Sequence, residues 1–143
     1  MSVWPRLLLL AYLALVPAGQ AMADLVVVVN ARLGVEKLTR DEVINIFLGR
    51  YRSLPNGLAA QPIDQPAHHP EKARFYRLLV NKDLAEINAY WTRLIFSGKT
   101  SPPRQVKADA QVFEWLANEK GAVAYIERNQ LTTGLRIVLD LER

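Results

Sequence analysis

Thr39-Arg40-Asp41-Glu42-Val43-Ile44-Asn45-Ile46-Phe47-Leu48-Gly49, then Pro55-Asn56-Gly57, Ala59 to Ile63, and Asp64-Gln65-Pro66-Ala67-His68-His69-Pro70 form the stretch that decides the fold. Thr39 and Glu42 make a capping-box pattern, in which the Thr hydroxyl accepts from the Glu42 amide and the Glu42 carboxylate reaches back to the Thr39 N–H. A helix therefore starts here. Val43, Ile44, Ile46, Phe47 and Leu48 give it a broad apolar face, and Gly49 can turn left-handed to close it. Pro55-Asn56-Gly57 signals a turn, because Pro fixes φ and Gly is free to take positive φ. Ala59 to Ile63 reads as a short strand. Asp64 to Pro70 is a loop, and Pro70 suits the first turn of a following helix, where its missing N–H would have no partner.

Upstream, Leu25 to Val29 is a continuous apolar, β-branched run. Such a run reads as a strand buried on both faces, in a parallel or mixed sheet covered by helices. With the capped helix and the strand at Ala59 to Ile63 it suggests a right-handed β-α-β unit, which would place the Asp64 to Pro70 loop at the carboxyl end of the sheet. Downstream, Phe75, Leu78, Leu79, Leu84, Ile87, Tyr90, Trp91, Leu94 and Ile95 recur at three- and four-residue steps, broken at Asn81-Lys82-Asp83. That pattern predicts two helices, 70–80 and 83–96, the second ended by Gly98 and Pro102-Pro103. Asp109 is the expected N-cap of a further helix carrying Val112, Phe113, Trp115 and Leu116 and closed by Gly121. Short strands are expected at Ala122 to Ile126 and Leu135 to Leu139. Strands alternating with helices define an α/β domain.

The first 23 residues read as a signal peptide. Arg6 and the amino terminus supply positive charge, Leu7 to Val16 is apolar, and Ala21-Met22-Ala23 is a small-x-small cleavage pattern. The apolar run is too short to span a bilayer, which needs ~20 residues. Residues 24–143 then form one exported domain of ordinary size, expected in the periplasm. Without Arg6 the chain keeps a mild positive excess, and its basic residues read as scattered among acids, so nucleic acid is not an expected partner. The absence of cysteine excludes a disulfide framework, thiol catalysis and thiolate metal sites.

The chemistry-bearing residues concentrate in the loop before Pro70. His68 and His69 are the only histidines. Asp64 and Glu71 are the nearest further metal donors, at no recognised ligand spacing. Two solvent-facing loop histidines is one reading. The other is an anion site: the helix beginning at Pro70 presents unpaired N–H groups and a partial positive charge, with Arg74 one turn in. On that reading the ligand-binding residues are His68, His69, Glu71 and Arg74, and Asp64 and Glu71 oppose an anion. Ser97-Gly98-Lys99-Thr100-Ser101 contains Gly-Lys-Thr but lacks the upstream glycine and follows a helix, so it is not a phosphate loop. No nucleophile, base and acid set stands out, so neither enzymatic activity nor a cofactor is expected.

Val26-Val27-Val28-Val29-Asn30, the Leu38 to Arg50 segment, Tyr90-Trp91, Phe96-Ser97-Gly98 with Pro102-Pro103, and Gly121-Ala122-Val123-Ala124-Tyr125-Ile126 together resemble the periplasmic phosphate-binding proteins of ABC uptake systems. The resemblance covers nearly all of residues 24–143. It implies a single lobe of a type II periplasmic-binding-protein fold, a mixed sheet flanked by helices, acting as a non-enzymatic substrate-binding protein. It further implies phosphate or another small anion as ligand and a membrane transporter or sensor component as partner. Where that family carries an Arg-x-Asp-Gly-Ser-Gly-Thr grip, this chain has Ile63 to Glu71, with neither the arginine nor the Ser-Gly-Thr. A lobe that has lost the solute and kept the fold as an interaction or sensor-accessory module is the alternative. A two-lobed receptor closes about a hinge, so a lone lobe binds in an open cleft or completes itself with a partner or as a homodimer.

Overall fold

The computed structural model describes residues 23–98 and 100–143. The expected signal peptide, apart from Ala23, lies outside the described residues, as does Lys99. The elements in order are β1 (Leu25–Asn30), α1 (Arg40–Phe47), β2 (Gln61–Asp64), α2 (Pro70–Val80), α3 (Leu84–Ser97), β3 (Arg104–Gln105), α4 (Asp109–Asn118), β4 (Ala122–Glu127) and β5 (Leu135–Asp140), with a 3-10 turn at Arg128–Gln130. No helix among the described residues is long and apolar enough to cross a membrane.

Local chemistry fixes the helix ends. Both α1 and α3 carry complete capping boxes, Thr39 with Glu42 and Asp83 with Glu86. Gly98 closes α3 in the left-handed conformation. The two prolines that follow leave room for only a two-residue strand, β3, which the sequence pattern does not announce. Asp109 is the first residue of α4 and not its cap; Ala108 holds that place. Its carboxylate is turned instead toward α2.

The strands form one mixed sheet in the order β3-β2-β4-β1-β5. β2 runs parallel to β3 and β4, whereas β1 runs antiparallel to β4 and β5. This corrects the expected β-α-β unit. β4 lies between β1 and β2, the two point in opposite directions, and the handedness rule for parallel crossovers does not apply to them. Burial on both faces was legible because it reports layers, not strand direction. Leu25, Val27 and Val29 face the core beneath α1, α2 and α3, while Val26 and Val28 face the smaller core beneath α4. Residues 25–29 of β1 are therefore all apolar whichever way the neighbouring strands run.

The larger core is aromatic. Phe75 stacks on Tyr125 at 3.9 Å between ring centroids, and Phe47 meets Phe75 edge-on at 4.8 Å. Each such contact adds about 0.5–1.5 kcal/mol beyond area burial. Together they hold α1 and α2 against β4.

Candidate functional site

The parallel strands β2, β3 and β4 bring their carboxyl ends to the same edge of the molecule. From β2 the chain passes to α2 on one face of the sheet; from β3 it passes to α4 on the other. Such a divergence leaves a crevice outside the strand ends, where ligands of open α/β sheets bind. Here that crevice has a volume of about 40 Å³ and is lined by Gln65, Glu71, Asp109, Val112, Ile126 and Gln130, with Phe113. It has room for no more than a few water molecules and does not enclose a solute. A ligand would lie at its mouth.

Two helix N-termini meet there. Unlike α1 and α3, neither α2 nor α4 has a side-chain cap on its first amides. They are joined by His69, the N-cap residue of α2, whose Nδ1 lies 3.0 Å from Asp109 Oδ1 at the start of α4. Of the residues singled out from the sequence, His69 and Glu71 thus come together at the crevice. His68 is exposed beside them, its ring edge-on to His69 at 4.5 Å. Arg74 does not join: its guanidinium reaches the Ala23 carbonyl and lies 3.0 Å from a Glu142 carboxylate oxygen.

Behind the crevice lies a buried polar network built on Asp64, which is only 4% exposed. Tyr76 donates to Asp64 Oδ2 at 2.6 Å, Tyr125 donates to Oδ1, and the Gln65 N–H donates to Oδ1 at 2.9 Å. Lys72 Nζ stands 3.6 Å from Oδ2 and donates to Gln105 Oε1 at 3.3 Å. The Gln65 side chain donates to the Tyr125 carbonyl at 3.0 Å. A buried carboxylate is tolerated when paired and hydrogen-bonded in this way. The network ties α2, β2, β3 and β4 together at the strand ends that form the crevice.

Burial pushes both tyrosine hydroxyls well above the ordinary phenol range, and the Asp64 charge and hydrogen bonds add to this. The folded state therefore keeps two protons that the unfolded chain releases from pH ~10 upward. The stability they contribute is complete below that pH and is lost as pH rises through the folded values. Each tyrosine should steepen the loss by up to about 1.4 kcal/mol per pH unit. Urea unfolding from pH 8 to 11 should show Tyr76→Phe losing stability less steeply than the parent, with phenolate absorbance of both residues rising only on unfolding. Ionisation of both ahead of unfolding would contradict the network.

By their rings Tyr76 and Tyr125 are core aromatics, both fully buried. The signal that more was present is Lys72. It falls on the buried stripe of α2 with Phe75, Tyr76 and Leu79, where an unpaired ammonium could not stay.

No family model matches the chain, and no curated protein sequence does. Solved structures do. An ABC-type phosphate transport receptor from Vibrio cholerae superposes with a TM-score of 0.65 at 14% identity, covering 85% of this chain and 47% of that one. A putative phosphate ABC transporter substrate-binding protein from Clostridium perfringens, with bound phosphate, gives 0.65 at 10% identity over 81% and 44%. PstS from Borrelia burgdorferi gives 0.60 at 15% identity over 81% and 46%. The chain thus spans a little under half the length of each. Its fold is a single lobe of the type II periplasmic-binding-protein architecture, as the sequence resemblance implied.

Proposed function

We propose that this chain is an exported, non-enzymatic binding module of the phosphate-uptake type, which takes a small oxyanion at the open mouth of the crevice between α2 and α4. One observation carries the reading: two helix N-termini without side-chain caps converge at the switch point of a lobe whose solved counterparts include a phosphate transport receptor and a putative substrate-binding protein with bound phosphate. The helix dipoles favour an anion there, as do the first-turn N–H groups other than those of Lys72 and Gln111, which donate to the His69 and Ala108 carbonyls. His69 adds a donor, at present directed to the Asp109 carboxylate, 72% of which side chain is exposed. A bound oxyanion would take the place of that carboxylate.

A second reading is favoured by the acids themselves. Glu71 and Asp109 both line the crevice, and no arginine does. On this reading the lobe is an interaction or sensor-accessory module that has kept the fold without the solute.

Thermal melts of residues 24–143 with millimolar phosphate, sulfate and a neutral sugar separate the two. Ligand at a hundred times Kd stabilises by about 2.7 kcal/mol, a shift of several degrees for a domain of this size. The oxyanion reading expects that shift with phosphate, larger in Asp109→Asn and lost with the sugar. No shift in either protein would sink it and leave the interaction module.

A further inference from the structure

A cavity of about 250 Å³ opens between the end of α1 and one face of α3. Leu48 and Ile87, both buried, form its floor, and Arg50, Lys82, Glu86 and Arg93, all exposed, stand around it. It shares no lining residue with the crevice at Asp109. Glu86, Tyr90 and Arg93 follow one another on α3 at steps of four and three residues and so share one face. Tyr90 donates to the Leu48 carbonyl at 2.6 Å, which fixes that face against the end of α1. Arg50 is held from α1: its N–H donates to the Asn45 carbonyl at 2.8 Å, and its Nη1 donates to Asn45 Oδ1 at 3.3 Å.

The charges around this cavity do not balance. Three cations and one carboxylate line it, and among the described residues none of the three cations forms an ion pair. Glu86 is engaged at the start of its own helix. Its Oε2 accepts the Asp83 N–H at 3.0 Å, and its N–H donates to Asp83 Oδ1 at 2.8 Å, which completes the capping box. That bond draws the carboxylate toward the helix start, whereas Arg93 lies two turns further on, about 10 Å along the axis. Like charges gathered round one concave surface repel, and a bound anion relieves the repulsion.

We propose that this cavity binds a small anion made of two or more linked phosphate groups. The Arg50 and Arg93 guanidinium groups present planar pairs of N–H donors that match phosphate oxygens, and Lys82 adds a compact charge. Spacing selects linked phosphates over a single one. Lys82 precedes Leu84, the first residue of α3, and Arg93 lies about 13 Å along the axis beyond Leu84. One phosphate would reach both cations only with both side chains held extended, at a cost in side-chain entropy. Linked phosphates span the interval with the side chains relaxed. The site goes beyond the oxyanion reading of the crevice and stands whether or not an anion binds there.

Calorimetric titration of the purified protein with inorganic diphosphate and triphosphate, without divalent cations, tests this. Both should bind at least ~10-fold more tightly than citrate, which carries comparable charge on carboxylates. Arg50→Gln and Arg93→Gln should each weaken triphosphate by ~10-fold or more, the usual effect of losing a charged hydrogen bond. Any binding of orthophosphate should be indifferent to Arg93→Gln. Glu86→Gln keeps the capping-box acceptor and removes the lining carboxylate, so it should tighten triphosphate binding by ~3-fold or more. Misfolding does not produce a gain, so this variant decides the matter if an arginine variant melts early. No binding of either phosphate chain, equal affinity for citrate, or no gain in Glu86→Gln overturns the proposal. So does a triphosphate affinity that changes with Asp109→Asn and not with Arg93→Gln, which would place the anion at the crevice. Sedimentation with phosphatidylglycerol vesicles, abolished by Arg93→Gln while neither phosphate chain binds, would overturn it too and assign the cations to lipid phosphates at a membrane surface.

Discussion

Replacing Asp64 with Ala is expected to destabilise the protein by about 3–5 kcal/mol, the usual effect of removing one partner from a buried charged network. A domain of this size has about 5–15 kcal/mol in total, so much of the population should unfold near 37 °C. The loss comes less from the contacts removed than from the groups left behind. Among the described residues, Tyr76 and Tyr125 would keep buried hydroxyls without an acceptor, and Lys72 would keep a buried ammonium with Gln105 as its one remaining partner. Asp64→Asn keeps an acceptor and should lose less, about 1–3 kcal/mol. The decisive comparison is rescue. Adding Lys72→Met, Tyr76→Phe and Tyr125→Phe to Asp64→Ala removes the orphaned groups and should recover part of the loss, a non-additivity that independent sites do not show. Urea unfolding of the series measures it. A loss under about 1 kcal/mol for Asp64→Ala, or no recovery in the combined variant, would mean that the network is not what holds the strand ends together.

What the sequence disclosed follows the range of the interactions involved. The starts of α1 and α3 were legible because Thr39 with Glu42, and Asp83 with Glu86, are three residues apart and their hydrogen bonds are local. Strand order was not, because antiparallel pairing of Leu25 with Glu127 spans nearly the whole chain and leaves no local mark. β3 was invisible for the same reason: Arg104 and Gln105 are exposed and become a strand only because Ile63 and Asp64 lie alongside. At the crevice, Pro70 rightly announced a helix N-terminus with His69 and Glu71 beside it. The direction of Arg74 could not be read, since it depends on how α2 docks. That docking turns Arg74 toward Ala23 and Glu142 and turns Tyr76 toward Asp64. Tyr76 shows why polar networks hide in sequence: the ring obeys the helical apolar period, and only the hydroxyl at its tip carries the chemistry.

Gly121→Ala is expected to be nearly as damaging, for a reason of shape. Gly121 has φ +82°, and a Cβ built on it would overlap the Ala59 carbonyl oxygen and lie 3.1 Å from the carbonyl carbon. The obstacle is backbone, so no side-chain rotation relieves it. The Gly121 carbonyl also accepts the Gln61 N–H at 2.9 Å, where parallel pairing of β2 with β4 begins at Gln61 and Ala122. An added methyl must push residues 59 and 60 away and strain that first bond of the ladder. Left-handed conformation alone costs a residue with a Cβ about 1–2 kcal/mol, and forced displacement of packed neighbours about 1–3 more. The expected total is about 2–5 kcal/mol. Gly34→Ala separates the two contributions, because Gly34 has φ +84° with nothing within 4 Å of the added carbon. It should lose only the conformational part, about 1–2 kcal/mol. Equal losses at the two positions in urea unfolding would mean that the entry to β2 moves freely. A larger loss at Gly121 would mean that it is fixed, and with it the position of Asp64 at the far end of the same four-residue strand.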